Sequence, residues 1–287
     1  MTGSGVQNLS NNQPLRLNGQ SKVQLTNTFS DLSVFPNIHS YRVCMSFLAV
    51  IPLDYACLED ETPENVIKYF RKKLTQDEDS LRFFIDFKDF LSSWELANPR
   101  KAKQMVKEHC LKELITTHIR CDDSTLRSVF EEVKTVDDTI VVWLNARAMP
   151  FLINAHLAKT GFMYRIPIEL LKPFRSVYTV KIFERLVRFS DTGVLYMTPQ
   201  SLKKLTDCKS EDYSTLRRDV LMKAEKELIK YGLLKKKFDI KTEKSGRKVS
   251  RIIIEFELTD KVRPPKEDLS GFVGNEEEYY EQEALIA

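Results

Sequence analysis

Five cations crowd one turn of this chain: Lys241, Lys244, Arg247, Lys248 and Arg251 surround Gly246. Like charges so close repel unless an anion neutralises them. A run of phosphates would do so, releasing counterions and making the attraction salt-dependent; a solvated turn is the plainer alternative. A second set lies just upstream, where Tyr213 to Tyr231 has helical periodicity. At 100° per residue, Tyr213, Leu216, Val220, Ala224 and Leu228 share the arc that faces a core. Opposite them lie Thr215, Arg218, Asp219, Met222 and Lys226. An arginine on such a face can take a guanine edge through two hydrogen bonds, with about 1–3 kcal/mol of discrimination. Arg217 falls nearer the apolar arc and suits a phosphate. Taken alone, this helix would equally suit an ordinary solvated surface. Lys235 to Lys237 offers either a further phosphate contact or a common surface run. The chemistry written in these residues is attraction of a polyanion.

The elements that must position these residues are legible around them. Val194 to Met197 reads as a strand and Thr198 to Leu205 as a capped short helix. The long helix follows, and Phe238 to Phe256 reads as a hairpin turning at Gly246. Helix, turn, helix and basic hairpin in that order predict a winged helix, whose second helix can enter a major groove. Charge follows the same division. Ser176 to Leu258 holds 19 Lys+Arg against 12 Asp+Glu, whereas Thr259 to Ala287 holds 3 against 8. The whole chain carries only +3 over 287 residues, so the segregation is informative where the total is not.

Other classes find little support. His39, His109, His118 and His156 form no HxH or HExxH arrangement, and no phosphate-loop motif is present. No catalytic residue, metal or cofactor is therefore expected, and the chain is read as a non-enzyme. Cys44, Cys57, Cys110, Cys121 and Cys208 are scattered, which fits a reducing cytoplasm. No apolar run is long enough to span a bilayer, and no signal peptide is recognised.

Residues 1–38 are rich in Asn, Gln, Ser and Gly and are expected to be disordered. Tyr41 to Ile51 is expected to be a buried helix ended by Pro52, and Leu58 to Glu64 an exposed acidic connection. Leu81 to Asp86 reads as a strand, with Asp86 capping a helix through Leu96. A second helix follows from Arg100 to about Ile119, its apolar positions being Ala102, Met105, Val106, Cys110, Leu111, Leu114 and Ile115. Asp138 to Leu144 reads as a strand, Asn154 to Lys159 as a weak helix, Pro167 to Leu171 as a short helix, and Val177 to Phe189 as a helix capped by Ser176. A faint duplication links the two halves. Ile85-Asp86 and Phe90 match Met197-Thr198 and Leu202 at an offset of 112, and Lys112-Glu-Leu-Ile115 matches Lys226-Glu-Leu-Ile229 at 114. The expected fold is α+β: two tandem winged-helix domains, 39–150 and 151–258, between a disordered N-terminal segment and an acidic tail, 259–287.

The residues from Phe174 to Leu186, Met197 to Leu205, Tyr213 to Ile229, and the Gly246-Arg-Lys248 wing ending at Phe256 resemble the iteron-binding plasmid replication initiators. The resemblance is fullest from Ile140 to Leu258, and Leu58 to Glu64 departs from the family pattern. It implies that Arg217, Arg218, Lys223, Arg247 and Lys248 contact repeated origin sites. With the wheel and the hairpin, the candidate DNA-binding set is Ser214, Thr215, Arg217, Arg218, Met222, Lys223, Lys226, Lys244, Arg247, Lys248 and Arg251. The resemblance further implies initiation of plasmid replication at tandem direct repeats in double-stranded DNA, and a homodimer that represses its own promoter through an inverted repeat. The first winged helix would serve dimerisation and secondary DNA contact. Implied partners are the host initiator, the replicative helicase and chaperones, in the bacterial cytoplasm and without a membrane. A winged-helix repressor with no replication role is the alternative. A nicking enzyme and a protein-interaction module are more distant ones.

Overall fold

A computed structural model describes residues 16–51, 62–96, 98–121, 124–152, 163–210 and 212–262. The chain divides into two compact units, Met1–Lys172 and Pro173–Ala287.

In the first unit, β1 (Lys22–Thr26) leads into α1 (Asn27–Leu32), β2 (Ser33–Val34), α2 (Ile38–Val50) and α3 (Pro63–Gln76). Next come β3 (Arg82–Asp86), α4 (Phe87–Ser93) and a helix built of α5 (Pro99–Met105), a π turn at Val106–Cys110, and α6 (Leu111–Leu114). Then follow β4 (His118–Arg120), β5 (Leu126–Ser128), β6 (Phe130–Val136), β7 (Thr139–Leu144), α7 (Met149–Leu152), β8 (Met163–Pro167) and α8 (Ile168–Leu171). Its principal sheet is antiparallel in the order β3-β7-β6. Helix α2 is the unit's centre. Asn37 caps it by accepting from the amides of His39 and Ser40 at 2.8 and 2.9 Å, and every residue from Ser40 to Leu48 is buried. A helix apolar on most sides belongs inside a core. Its polar Ser46 is satisfied there, donating to the Arg42 carbonyl and accepting from Trp94 Nε1, each at 2.8 Å.

The second unit contains α9 (Val177–Arg188), β9 (Val194–Met197), α10 (Pro199–Thr206), and a long helix composed of α11 (Tyr213–Leu216), a π turn at Arg217–Leu221, and α12 (Met222–Lys230). The hairpin of β10 (Asp239–Ser245) and β11 (Lys248–Glu255) completes it. The sheet order is β9-β11-β10, so each unit repeats the same scheme: first strand at one edge, second wing strand in the middle, first wing strand at the other edge. Ser176 caps α9 as the sequence predicts, accepting from the Tyr178 amide at 3.2 Å. Thr198 and Ser201 form a reciprocal cap on α10. Val180, Ile182, Phe183 and Leu186 of α9 meet Leu202 and Leu205 of α10, the long helix's apolar face, and Ile252 and Ile254 of β11 in one core. Two tandem winged helices are thus the architecture.

Several expectations are corrected. Order begins well before residue 39: β1 pairs with β8 from Lys22↔Pro167 to Thr26↔Met163, and Val23, Leu25 and Phe29 are buried. A few apolar residues suffice when the strand finds a partner far along the chain. That pairing also carries β8 into the first unit, so the chain divides at Lys172 and not at 150. The helix predicted to reach Ile119 stops at Leu114, leaving Ile115 exposed and turning His118–Arg120 into a strand. Asp86 stands at the N-cap of α4 without capping it; its Oδ1 accepts from Thr139 Oγ1 at 3.4 Å instead. The predicted helix at Asn154–Lys159 and almost all of the acidic tail lie outside the described residues, as do Cys57 and most of the acidic connection. Of that connection, Thr62 caps α3 and Pro63 and Glu64 open it.

Candidate nucleic-acid interface

The long helix of the second unit begins at Asp212. Its carboxylate accepts from the Thr215 amide at 3.1 Å, from Thr215 Oγ1 at 3.3 Å, and from the Ser214 hydroxyl. These bonds, led by the Ser214 hydroxyl, hold the Asp212 carboxyl below its ordinary range. Ser214 and Thr215 therefore spend their hydroxyl protons on the cap and keep only acceptor lone pairs for anything outside.

One turn later the backbone opens into the π turn, with the Met222 amide donating to the Arg217 carbonyl. A π turn holds one residue more than an α turn, so the residues after it are rotated by about 100° from the uninterrupted wheel. This explains a feature the wheel does not contain. Glu225 would project outward on a regular helix, yet it is 6% exposed, and Leu221 joins Val220 in the core. From there Glu225 Oε2 accepts from the Phe238 amide at 2.8 Å, tying the helix to the chain that enters β10.

On the exposed side, Arg218 grips Asp219 with two bonds, Nε to Oδ1 at 3.2 Å and Nη2 to Oδ2 at 2.9 Å. Lys223 Nζ lies 3.2 Å from Asp219 Oδ1. Hydrogen bonds from Arg218 and then Lys223 bring the Asp219 carboxyl down to about 2. Met222 is exposed between these charges and Lys226. Among the described residues Arg217 and Lys226 are exposed and make no ion pair.

The hairpin divides its five cations. Lys241 is bound to Glu255, with Asp239 at 3.6 Å, and Arg251 lies 3.4 Å from Glu243 on the facing strand. Lys244, Arg247 and Lys248, nearest the turn, are exposed and unpaired among the described residues. Gly246 has φ +61° with open space about its α-carbon, the primed-turn geometry of a two-residue hairpin loop. The Lys235–Lys237 run is largely spoken for: Lys235 reaches Glu257 at 3.3 Å and Asp260 at 3.4 Å, and Lys236 reaches Glu257 at 4.0 Å.

The first unit's counterpart is closed upon itself. Its wing turn is Asp137-Asp138, with Asp137 at φ +50°. Lys103 of α5 bonds Asp138, and Lys107 Nζ donates to the Asp137 carbonyl at 3.2 Å. The Lys103 hydrogen bond is the main reason the Asp138 carboxyl sits below its ordinary range.

Eleven candidate residues were named from the sequence, and the structure brings all of them to the long helix or the wing. It leaves five cations unpaired among the described residues (Arg217, Lys226, Lys244, Arg247 and Lys248) and commits Arg218, Lys223 and Arg251 to carboxylates. Sequence reasoning missed Asp212 and Glu225. Asp212 carried the N-cap signal of an aspartate before a helical run; Glu225 carried none, because the π turn that buries it is not written in the periodicity. Among the described residues no cluster of His, Cys, Asp and Glu could hold a metal ion, and no helix is long and apolar enough to cross a membrane.

Residues 200–256 match the family described as "Initiator Rep protein, WH2". No match was found among curated protein sequences. Among solved structures, the chain is similar to the Pi initiator protein, solved in complex with iteron DNA, with a TM-score of 0.58 and 17% identity over 85% of this chain and 100% of that one. Domains 2 and 3 of RctB align over 86% of this chain and 94% of theirs at 10% identity, with a TM-score of 0.34. The tandem winged-helix fold is shared with the first of these, and residues 200–256 are similar to the second winged helix of initiator Rep proteins.

Proposed function

We propose that this protein initiates plasmid replication by binding tandem direct repeats, or iterons, in double-stranded DNA at an origin. The observation that carries this reading is the set of unpaired cations, Arg217 and Lys226 on the long helix and Lys244, Arg247 and Lys248 on the wing, within a segment that matches initiator Rep proteins. A helix of that kind enters a major groove while a cationic wing follows the backbone. The solved complex of the Pi initiator with iteron DNA supports the same partner. Ser214, Thr215, Arg218, Met222 and Lys223 would lie against the groove, and Arg217, Lys226, Lys244, Arg247, Lys248 and Arg251 against phosphates. No bond is made or broken in this function. Host initiator, helicase and chaperones act with the bound protein in the bacterial cytoplasm, and a homodimer held through the first winged helix represses the protein's own promoter.

Nuclease footprinting on the DNA flanking the protein's own gene, at two salt concentrations, tests this. Regularly spaced, salt-sensitive protected repeats are expected. Protection of one inverted repeat alone would make the protein a repressor, and no footprint at either salt would remove DNA from the reading.

A further inference from the structure

Arg218 and Arg217 are adjacent, exposed and chemically identical, yet they are held differently. Arg217 makes no ion pair among the described residues, whereas Arg218 is fixed by two bonds to the next side chain in sequence. Two parallel N–H···O bonds define the plane of a guanidinium, which a single bond would leave free to turn. They use two of its five N–H donors. The Nη1 pair and one proton on Nη2 remain, enough for the two-bond contact with a guanine edge. Asp219 also has the opposite effect on a phosphate. Shared between Arg218 and Lys223, at 2.9 and 3.2 Å, the carboxylate cancels one of their two positive charges and repels a phosphate oxygen brought to the same place.

We propose that Asp219 is a positioning residue for sequence discrimination, aiming Arg218 at a base edge and withholding it from the phosphate backbone. Attraction that ignores sequence is left to Arg217, Lys226 and the wing. The inference rests on the DNA-binding reading above. Its carboxyl, held near 2 by Arg218 and Lys223, stays ionised wherever DNA binding is measured.

The test uses the full chain and a library of randomised DNA duplexes, from which bound sequences are selected for wild type, Asp219→Asn, Asp219→Ser and Arg218→Lys. Wild type is expected to return a motif. Asp219→Asn should return the same motif with preference lost, about tenfold, at one or two adjacent positions. Arg218→Lys should lose those same positions, a coincidence that a merely structural role for Asp219 would not produce. On a fixed non-specific duplex, Asp219→Asn should bind more tightly, its salt slope steeper by about 0.9 because one more phosphate is neutralised. An unchanged motif, losses at positions that differ from those of Arg218→Lys, or an unchanged salt slope would each overturn the proposal. If Asp219→Asn fails to fold, Asp219→Ser carries the same comparison. A wild-type protein that returns no motif would instead remove sequence-specific DNA binding itself.

Discussion

The two winged helices have one strand order and two electrostatic designs. In the first, the wing turn is Asp137-Asp138 and the helix supplies Lys103 and Lys107 to meet it, so helix and wing neutralise each other. In the second, the turn is Gly246-Arg247 beside Lys244 and Lys248, and no carboxylate among the described residues answers it. The scaffold fixes where a helix and a wing stand; the side chains at the turn decide whether they face each other or a third party. Fold and partner are therefore separable properties even within one chain.

The most severe way to test the equivalence is through matching core positions. Phe90 of α4 and Leu202 of α10 occupy corresponding places and are fully buried. Phe90→Ala should cost about 3–5 kcal/mol and Leu202→Ala about 2–5 kcal/mol in denaturant titrations. A negligible loss at either would show that the two helices are not structural counterparts. Charge reversal addresses the difference between the units. Arg247→Glu with Lys248→Glu should weaken duplex binding on the order of a hundredfold and flatten the salt slope by about 1.8, as two phosphate contacts disappear. Lys103→Glu with Lys107→Glu in the first unit should change affinity far less by the same anisotropy measurement; an equal loss would erase the contrast.

A smaller effect separates the helices themselves. Four residues beyond each π turn stand Leu114 in the first unit and Glu225 in the second, both buried. Glu225→Ala strands the Phe238 amide and should cost about 1–3 kcal/mol. Faster hydrogen exchange at the start of β10 would report it, whereas unchanged exchange there would deny the link between helix and wing. The smallest effect is on pH. The Asp219 carboxyl lies at about 2, below its unfolded value of 3.8, so its contribution to stability is present above that value and fades as pH falls toward 2. Asp138 behaves in the same direction. Asp138 is exposed and Asp219 half-exposed, so solvent screens both pairs and the contributions are slight. Asp219→Asn and Asp138→Asn should each flatten the acid end of a melting-temperature profile, and a profile that is unchanged in both would deny these pairs any weight.

The second unit was largely legible in the sequence because its signals are local. Thr198 and Ser176 cap helices that begin beside them, and Gly246 turns a hairpin whose strands are its neighbours. The first unit was less so because its signals are distant. Lys22 to Thr26 has no partner nearer than Met163, and β6 has no pattern that declares itself without the core it covers; α3 is the exception, written locally in the Thr62 cap, Pro63 and the helical spacing of Val66, Phe70 and Leu74. Within the candidate interface, residue types and positions could be read, but pairing could not. Nothing in the spacing of Arg217 and Arg218 says that one is unpaired among the described residues and the other held. Helical periodicity, moreover, assumes an unbroken α-helix, which Arg217–Leu221 is not.

That extra residue has a genetic consequence. Removing any one codon between Arg217 and Leu221 would leave a good helix-forming sequence, shorter by one residue. Everything from Met222 onward would keep its facing, because the π turn accommodates the very residue that is lost, and Glu225 would still reach the amide it holds; adding one codon to a regular helix there would instead turn that stretch by about 100°. At this point in the reading frame, the protein can lose a letter more easily than it can gain one.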